Sequence, residues 1–336
     1  MRHPAGLFTI GVVLLIASAL PRAAAMMPAW AYAIPEPSGT NAPGAPPAPD
    51  TTPRQLPGSS LTFARPQISD GFGPADWFPG DHPAMPDIVA HGKRPDVRAC
   101  ALCHYPNGKG RQENAGIAGL PESYFIQTMN DFRDGARKSA ESRKTNTNLM
   151  IAYAKAMTAE EIKQAAQYFG AMPWTPWIRV VETSTVPKMA SRGGIWMPVE
   201  GGGREPIGER IVETPENPER TETLRDPRSG FIAYAPVGSI KAGEGLARGG
   251  GRTEACATCH GADLKGLGPV PGIAGRSPSY LARQMYDMQS GARHGEWAEL
   301  MKPVVAKLDG ADLVNLAAYV SSLMPLPPSS SAANGR

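Results

Sequence analysis

All four cysteines of this 336-residue chain occur in two short motifs that are near copies of each other. Each motif has two cysteines three positions apart and a histidine directly after the second: Cys100, Cys103 and His104 in the first, and Cys256, Cys259 and His260 in the second. Thiols and imidazoles bind metals, form disulfides or exchange disulfides with other proteins. The spacing and surroundings of the motifs must select among these chemistries.

Three of these chemistries fit the pattern poorly. A structural zinc site needs its two cysteine pairs close enough to close one small module, whereas Cys103 and Cys256 are about 150 positions apart. A redox-active cysteine pair is typical of a βαβ context, but the sequence around both motifs has helical periodicity. A disulfide requires no histidine beside it.

The pattern Cys-x-x-Cys-His is the attachment motif of c-type haem. On one helical turn the positions i, i+3 and i+4 share a face. Both thiols can therefore form thioethers with the haem vinyl groups while the histidine binds the iron. The sequence predicts two covalently bound haem c groups, one at each motif, with His104 and His260 as iron ligands.

The residues after the two motifs also repeat, which indicates two copies of one domain. An offset of 156 positions relates Cys100 to Cys256 and continues through 116–137 and 272–293, where eleven of twenty-two residues are identical. Apolar residues at helical spacing predict a helix after each "GIAG" turn and another near the end of each copy. These residues are Phe125, Met129, Phe132, Ile162, Ala165, Ala166 and Phe169 in the first copy, and Leu281, Met285, Met288, Leu313, Leu316, Ala317 and Val320 in the second.

The second axial ligand of each iron can be sought among residues that both copies share. No histidine outside the motifs has a histidine partner in the other copy. Two methionine pairs are matched: Met129 with Met285, on an apolar helical stripe where core packing explains them, and Met150 with Met301, in a more polar segment. We therefore predict Met150 and Met301 as the distal iron ligands. A neutral thioether favours ferrous iron and closes the sixth position, which favours electron transfer over catalysis.

The remaining segments predict export and long connections. An apolar run over 6–20, followed by small-residue cleavage candidates ending at Ala25, Ala31 and Ala33, is typical of a secretory signal peptide. The expected division is a signal peptide over 1–33, a Pro-rich tether over 34–61, a first domain over 62–176, an irregular, partly β connector over 177–235, a second domain over 236–326 and a tail over 327–336.

Charge and hydropathy exclude some partners. The net charge of +3 gives no nucleic-acid footprint, and no apolar stretch beyond the signal approaches the length of a membrane span. We expect an exported, periplasmic protein without a membrane span in its mature chain. A basic loop over 135–148 precedes Met150, and it fits either a docking rim for an acidic partner or a solvated loop.

The two copies resemble the class I cytochrome c domain, and their tandem arrangement resembles the two-domain dihaem cytochromes c of bacteria. The resemblance rests on "CALCH…GIAG…GAR…NLM" and "CATCHG…GIAG…GAR…LMKPV" and covers about 90–175 and 238–325. It implies an all-α fold of two tandem helical domains, in which the motif residues and a later methionine bind haem. It also implies redox partners: a dehydrogenase, an oxidase or another cytochrome.

Two functions remain open at this point. The first is a periplasmic dihaem carrier, or the electron-transfer subunit of a respiratory dehydrogenase or oxidase. The alternative is a dihaem enzyme, such as a peroxidase or a dehydrogenase of small sulfur compounds, with one open haem position.

The chain departs from the family pattern at one position. The family usually has a proline whose carbonyl accepts a hydrogen bond from the haem histidine. Pro271 fits that role in the second copy, whereas Ala115 stands at the matching position of the first copy. We therefore expect a less secure bond at the first haem and different potentials for the two haems.

Overall fold

The structure is a computed structural model that describes residues 26–35 and 48–324. Its α-helices are α1 (Arg65–Ile68), α2 (Asp87–Ala90), α3 (Cys100–His104), α4 (Glu122–Asp134), α5 (Thr145–Ala156), α6 (Ala159–Gly170), α7 (Ser239–Ala247), α8 (Ala257–His260), α9 (Pro278–Gln289), α10 (Glu296–Val305) and α11 (Gly310–Ser322). Residues 1–25 of the expected signal peptide, residues 36–47 of the tether and the whole tail lie outside the described residues.

The strands are short and lie mostly between the two repeats. They are β1 (Arg54–Gln55), β2 (Thr62–Phe63), β3 (Ile178–Glu182), β4 (Thr185–Pro187), β5 (Met189–Arg192), β6 (Ile195–Pro198), β7 (Arg204–Pro206), β8 (Val212–Pro215), β9 (Phe231–Ala235), β10 (Gly266–Leu267) and β11 (Val270–Pro271). The fold is therefore two tandem helical domains with a partly β connector.

The first domain packs α4 against α5 and α6. The predicted stripe Phe125, Met129 and Phe132 is buried on α4, and Phe169 on α6 is fully buried in the same core. The motif helix α3 adds Ala101 to this core. These contacts join the motif to the segment that carries Met150.

The start of α6 shows why this helix begins where the sequence places it. Thr158 Oγ1 accepts a hydrogen bond from the Glu161 N–H at 3.2 Å, and Glu161 Oε2 accepts one from the Thr158 N–H at 2.7 Å. This reciprocal pair satisfies two amide groups that have no partner inside the helix.

The second domain repeats the arrangement. The last helix α11 packs on α7 and α9, and the predicted residues Leu313, Leu316, Ala317 and Val320 are all buried on it. Met288 on α9 is buried, and Met285 is half-buried against the same core. The sequence repeat therefore corresponds to a repeated packing of helices in the two domains.

A pseudo-twofold axis relates the two domains at their interface. Arg137 donates to Tyr280 Oη at 3.1 Å, and its repeat counterpart Arg293 donates to Tyr124 Oη at 2.9 Å. The backbones of the two Gly-Ala-Arg segments also pair, with Arg137 opposite Arg293. A self-complementary patch of this kind is the usual geometry of a twofold interface.

The Gly-Ala-Arg segments owe their position to the glycines that end α4 and carry the chain away from α9. Gly135 and Gly291 both have φ of +77°, a left-handed conformation that favours glycine. Because both glycines turn the chain in the same way, Arg137 and Arg293 reach equivalent places in the interface.

The connector is more ordered than the sequence indicates. Strands β3, β9 and β8 form a three-stranded sheet in which β3 runs parallel to β9 and β8 antiparallel to it. Trp177, Ile178 and Phe231 are fully buried and share a core with α11 of the second domain. The connector is therefore part of the body of the molecule rather than a loose link.

Residues 26–35 also pack into this body. Ala31, Tyr32 and Ala33 are buried, and the Ala31 carbonyl accepts a hydrogen bond from Arg283 of α9 at 2.5 Å.

None of the helices in residues 26–35 and 48–324 combines the length and the hydropathy of a membrane span.

Candidate functional sites

The first motif lies on α3, which brings both cysteines and the histidine to one side as the spacing requires. The Nδ1–H of His104 donates to the Ala115 carbonyl at 2.9 Å. The bond fixes the ring and leaves Nε2 free to bind iron.

The second motif repeats this geometry at the start of the second domain. The Nδ1–H of His260 donates to the Pro271 carbonyl at 2.8 Å. The expectation of a weaker bond at Ala115 is therefore wrong, because the acceptor is a backbone carbonyl that alanine supplies as well as proline.

Burial sets the protonation of these groups. Before haem is attached, burial raises the pKa of Cys100 to about 12 and also raises the pKa values of Cys103 and Cys256. Burial lowers the pKa values of His104 and His260. Neutral imidazoles keep the nitrogen lone pair that an iron ligand needs.

Each motif supplies two thiols and one imidazole, one protein ligand fewer than a structural zinc site uses. No group of three or more His, Cys, Asp or Glu side chains positioned to hold a metal occurs within residues 26–35 and 48–324. A zinc site needs several such ligands in the protein itself. In contrast, haem brings four iron ligands of its own and needs one or two more.

A cavity beside the first motif brings together the side chains that the sequence singled out. Cys100, Cys103, His104 and Met150 all line it. Met150 lies on α5 and is half-buried. Met129 also lines the cavity, but it is almost fully buried in the helical core. Both methionines are thus near the motif, and Met150 is the more accessible of the two.

In the second domain, Met301 lies on α10. It packs against the same apolar cluster as Cys256 of the motif and Met285 of α9. The structure thus places each predicted methionine near the motif of its own repeat, and the more polar segments that carry them are the helices α5 and α10.

The first cavity also has a basic side. Lys144 and Arg283 line it and are both buried. Burial, and then the adjacent Arg283 guanidinium, lower the pKa of Lys144 to about 7. Arg283 already donates to the Ala31 and Gln112 carbonyls. A haem propionate would supply the anionic partner that the buried Lys144 amine needs to be charged, so this side of the cavity fits the group.

The basic loop before Met150 is only partly solvated. Arg137 and Lys144 are buried, and the Lys138 N–H donates to the Ala292 carbonyl of the other domain at 2.8 Å. Arg143 pairs with Glu141 at 2.7 Å. The loop therefore belongs to the domain interface and offers no continuous basic rim.

Sequence reasoning missed the tyrosines that form hydrogen bonds across the domain interface. Tyr124 lines the first cavity together with Tyr280 of the second domain, and each accepts a hydrogen bond from the arginine of the opposite repeat. A signal was present: both tyrosines and both Gly-Ala-Arg segments are identical between the copies. Identical polar residues in two repeats indicate a shared contact.

No protein-family model matches the chain. Cytochrome c-554(548) of Halomonas halodenitrificans is 40% identical over 68 residues, which are 20% of this chain and 82% of that protein. The chain is a two-domain cytochrome c. Its cofactors are two covalently bound haem c groups, and it transfers electrons.

Two longer matches span both domains of this cytochrome. A thiosulfate dehydrogenase electron acceptor of Thiomonas intermedia is 26% identical over 71% of this chain and 84% of that protein. Cytochrome c4 of Azotobacter vinelandii is 23% identical over 72% and 91%. Among solved structures, thiosulfate dehydrogenase TsdBA of Marichromatium purpuratum matches with a TM-score of 0.47 and 25% identity, over 73% of this chain and 41% of that chain.

Proposed function

We propose that both haems of this cytochrome have one histidine and one methionine as axial ligands. In this proposal the thioethers form at Cys100, Cys103, Cys256 and Cys259, and the iron ligands are His104, Met150, His260 and Met301. The observation that carries the proposal is that each motif histidine has its Nδ1–H bonded to a carbonyl, at 2.9 and 2.8 Å, with the matched methionine near the same motif.

In this proposal two backbone carbonyls orient the histidines and two methionines complete the iron ligands. The carbonyls of Ala115 and Pro271 hold the imidazole rings and leave Nε2 toward the iron. Met150 and Met301 would supply the second iron ligand of each haem, and a ligated iron would have no position for water or substrate. When bound, each haem supplies an iron that exchanges one electron without making or breaking bonds.

This arrangement supports an electron carrier, or the electron-transfer subunit of a larger enzyme, rather than an enzyme in its own right. The alternative is a dihaem enzyme with one displaceable ligand. One relative is described as the electron acceptor of thiosulfate dehydrogenase. We propose a dehydrogenase of a small sulfur compound as the electron donor of this cytochrome.

An absorption spectrum of the oxidised protein tests the ligands. Methionine-ligated ferric haem c has a weak long-wavelength charge-transfer band, and we expect this band from both haems without a high-spin signal. Met150→Ala and Met301→Ala should each remove half of the band, while the control Met129→Leu should keep all of it. A wild-type haem that is high-spin and binds cyanide readily would support the enzyme instead.

Purified thiosulfate dehydrogenase tests the donor. With thiosulfate present, it should reduce both haems of this cytochrome at a rate that rises with the concentration of the cytochrome. No reduction by this enzyme, from a protein with intact methionine bands, would refute the donor and leave the ligand assignment standing.

We also propose that the protein is periplasmic and that its signal peptide is cleaved after Ala25. The buried residues Ala31, Tyr32 and Ala33 support the first of the three cleavage candidates, because cleavage after Ala31 or Ala33 would remove packed side chains. Sequencing the N-terminus of the exported protein should give Met26 first. A start at Tyr32 or Ile34 would contradict this.

A further inference from the structure

The two motifs differ in how much of their surface is open. The two residues between the cysteines are Ala101 and Leu102 in the first motif, with exposed fractions of 3% and 6%. Their counterparts in the second motif, Ala257 and Thr258, are exposed. In a Cys-x-x-Cys-His helix these positions lie beside the thioether edge of the haem, so the two haem edges have different surroundings.

Part of the connector covers the first motif. Tyr105, directly after His104, donates through its hydroxyl to the Thr221 carbonyl at 3.4 Å. Asn107 donates to the Pro227 carbonyl at 2.7 Å. Tyr105 itself is buried. Residues 219–228 of the connector therefore lie over the chain that follows the motif.

The segment before the first domain covers the other side. The Ala99 N–H, next to Cys100, donates to the Gly71 carbonyl at 2.8 Å. Trp77 is fully buried and donates through Nε1 to the Leu224 carbonyl at 2.7 Å. Residues 54–81 are thus fastened both to the motif and to the connector.

These two segments form one unit, which we call the cap: residues 54–81 and 219–228. Its core consists of Leu56, Ile68, Trp77, Phe78 and Leu224. A second link runs across it, because Arg65 donates to the Glu222 carbonyl at 3.1 Å. A lobe with its own apolar core and links between both halves is a fixed cover.

The face of the second motif has no such cover within the described residues. Strand β10 packs beside α8 and presents Leu267, which is 59% exposed. The adjacent charges Asp263 and Lys265 pair with each other at 3.3 Å. This face therefore offers the apolar side chain of Leu267 and few charges, among which the exposed Glu254 is not in the Asp263–Lys265 pair.

We propose that the cap closes the first haem to partner proteins, so that electrons enter and leave the molecule at the face of the second motif. The occupant of that face is a redox protein whose own cofactor is surrounded by apolar, uncharged side chains. The first haem exchanges electrons only with the second, through the interface that the two repeats share.

Electron transfer to azurin, a blue-copper protein with an apolar patch over its copper, tests this proposal. The fully reduced cytochrome is mixed with oxidised azurin, and the loss of both reduced haems is followed by stopped-flow absorbance. Thr258→Arg places a charge that must be desolvated on docking, and we expect about tenfold slower oxidation of both haems. Leu267→Glu should slow both haems as well.

Thr62→Arg is the matched control, since Thr62 is exposed on the cap and the substitution changes charge and size equally. It should leave the rate unchanged. If one haem of Thr258→Arg is oxidised at the wild-type rate, the first haem transfers its electron directly to azurin. The cap proposal is then overturned. If Thr258→Arg changes neither haem, or the wild-type rate depends steeply on salt, the proposed docking face is wrong.

Discussion

At both histidine sites the hydrogen bond that orients the imidazole is accepted by a backbone carbonyl, so the side chain of the accepting residue is not needed for it. Ala115 and Pro271 differ in ring closure and in the backbone N–H, yet both carbonyls accept the Nδ1–H of the haem histidine at nearly the same distance. The sequence comparison judged the site by residue type. The bond depends instead on the path of the chain, which residue type alone does not report.

Pro271→Ala makes the second site like the first. We expect no change in the reduction potential of either haem and no loss of the methionine band, because the acceptor carbonyl remains. Redox titration followed by absorbance measures both. A shifted potential for the second haem would show that the proline ring itself contributes.

Glu213 is a buried carboxyl that should make the folding stability depend on pH. It is fully buried, and burial raises its pKa although Ser277 and Ser279 donate hydrogen bonds to it. A raised folded-state pKa favours the protonated form, so its contribution to stability is full below the unfolded pKa and is lost as the pH rises through the folded pKa.

Glu213→Gln removes this titration. We expect the wild type to lose stability relative to Glu213→Gln as the pH rises from about 4.5 through the raised pKa of Glu213. Urea unfolding at several pH values measures the difference. Parallel pH curves for the two proteins would contradict the assignment, and Glu254→Gln, at an exposed position, is the control.

At the scale of elements, the helices and the motifs could be predicted because their signals are local. The spacing of Phe125, Met129 and Phe132 predicted the buried face of α4, and it is buried. The fold of the connector could not be predicted, since β3 pairs with β9 about fifty residues later in the chain, and such pairing leaves no local pattern. The cap was missed for the same reason.

The interface allows a comparison between matched residues. Tyr124→Phe leaves Arg293 Nη2 without its tyrosine partner in a buried site. Tyr280→Phe leaves Arg137 Nη2 still bonded to Gln284 at 2.9 Å. We expect Tyr124→Phe to cost about 1.5–3 kcal/mol of unfolding free energy and Tyr280→Phe about 1 kcal/mol or less.

Urea unfolding, followed by the haem bands, measures both costs. Tyr286→Phe is a suitable control, because Tyr286 is half-buried and no hydrogen bond of its hydroxyl is seen among the described residues. Equal losses of unfolding free energy for Tyr124→Phe and Tyr280→Phe would show that the two tyrosines stabilise the interface equally. That result would contradict the difference expected from their hydrogen bonds.

At the scale of the whole molecule, residues 26–35 join parts that are distant in the chain. Tyr32 is 1% exposed, and its hydroxyl donates to Asp287 of α9 at 3.4 Å. The Trp30 carbonyl accepts from Trp196 of the connector at 2.7 Å. This short segment therefore bridges the connector and the second domain.

Tyr32→Ala should destabilise the protein by about 3 kcal/mol, since it empties a site that holds a large buried ring. Thermal unfolding followed by the haem bands measures the loss. Met26→Ala, in the same segment but 84% exposed, should change nothing. An unaffected Tyr32→Ala would show that the segment only rests on the surface.

The bridge made by residues 26–35 has a consequence for the order of maturation. Arg283 and Ala31 are 252 positions apart, so their contact forms only after nearly all of the chain has been synthesised. The cap likewise joins Trp77 to Leu224, 147 positions later. Until residues 219–228 are present the cap cannot form over the first motif, so Cys100 and Cys103 stay accessible for haem attachment up to that point. Haem attachment at the first motif must therefore precede the folding of the cap, whereas attachment at the second motif has no such requirement.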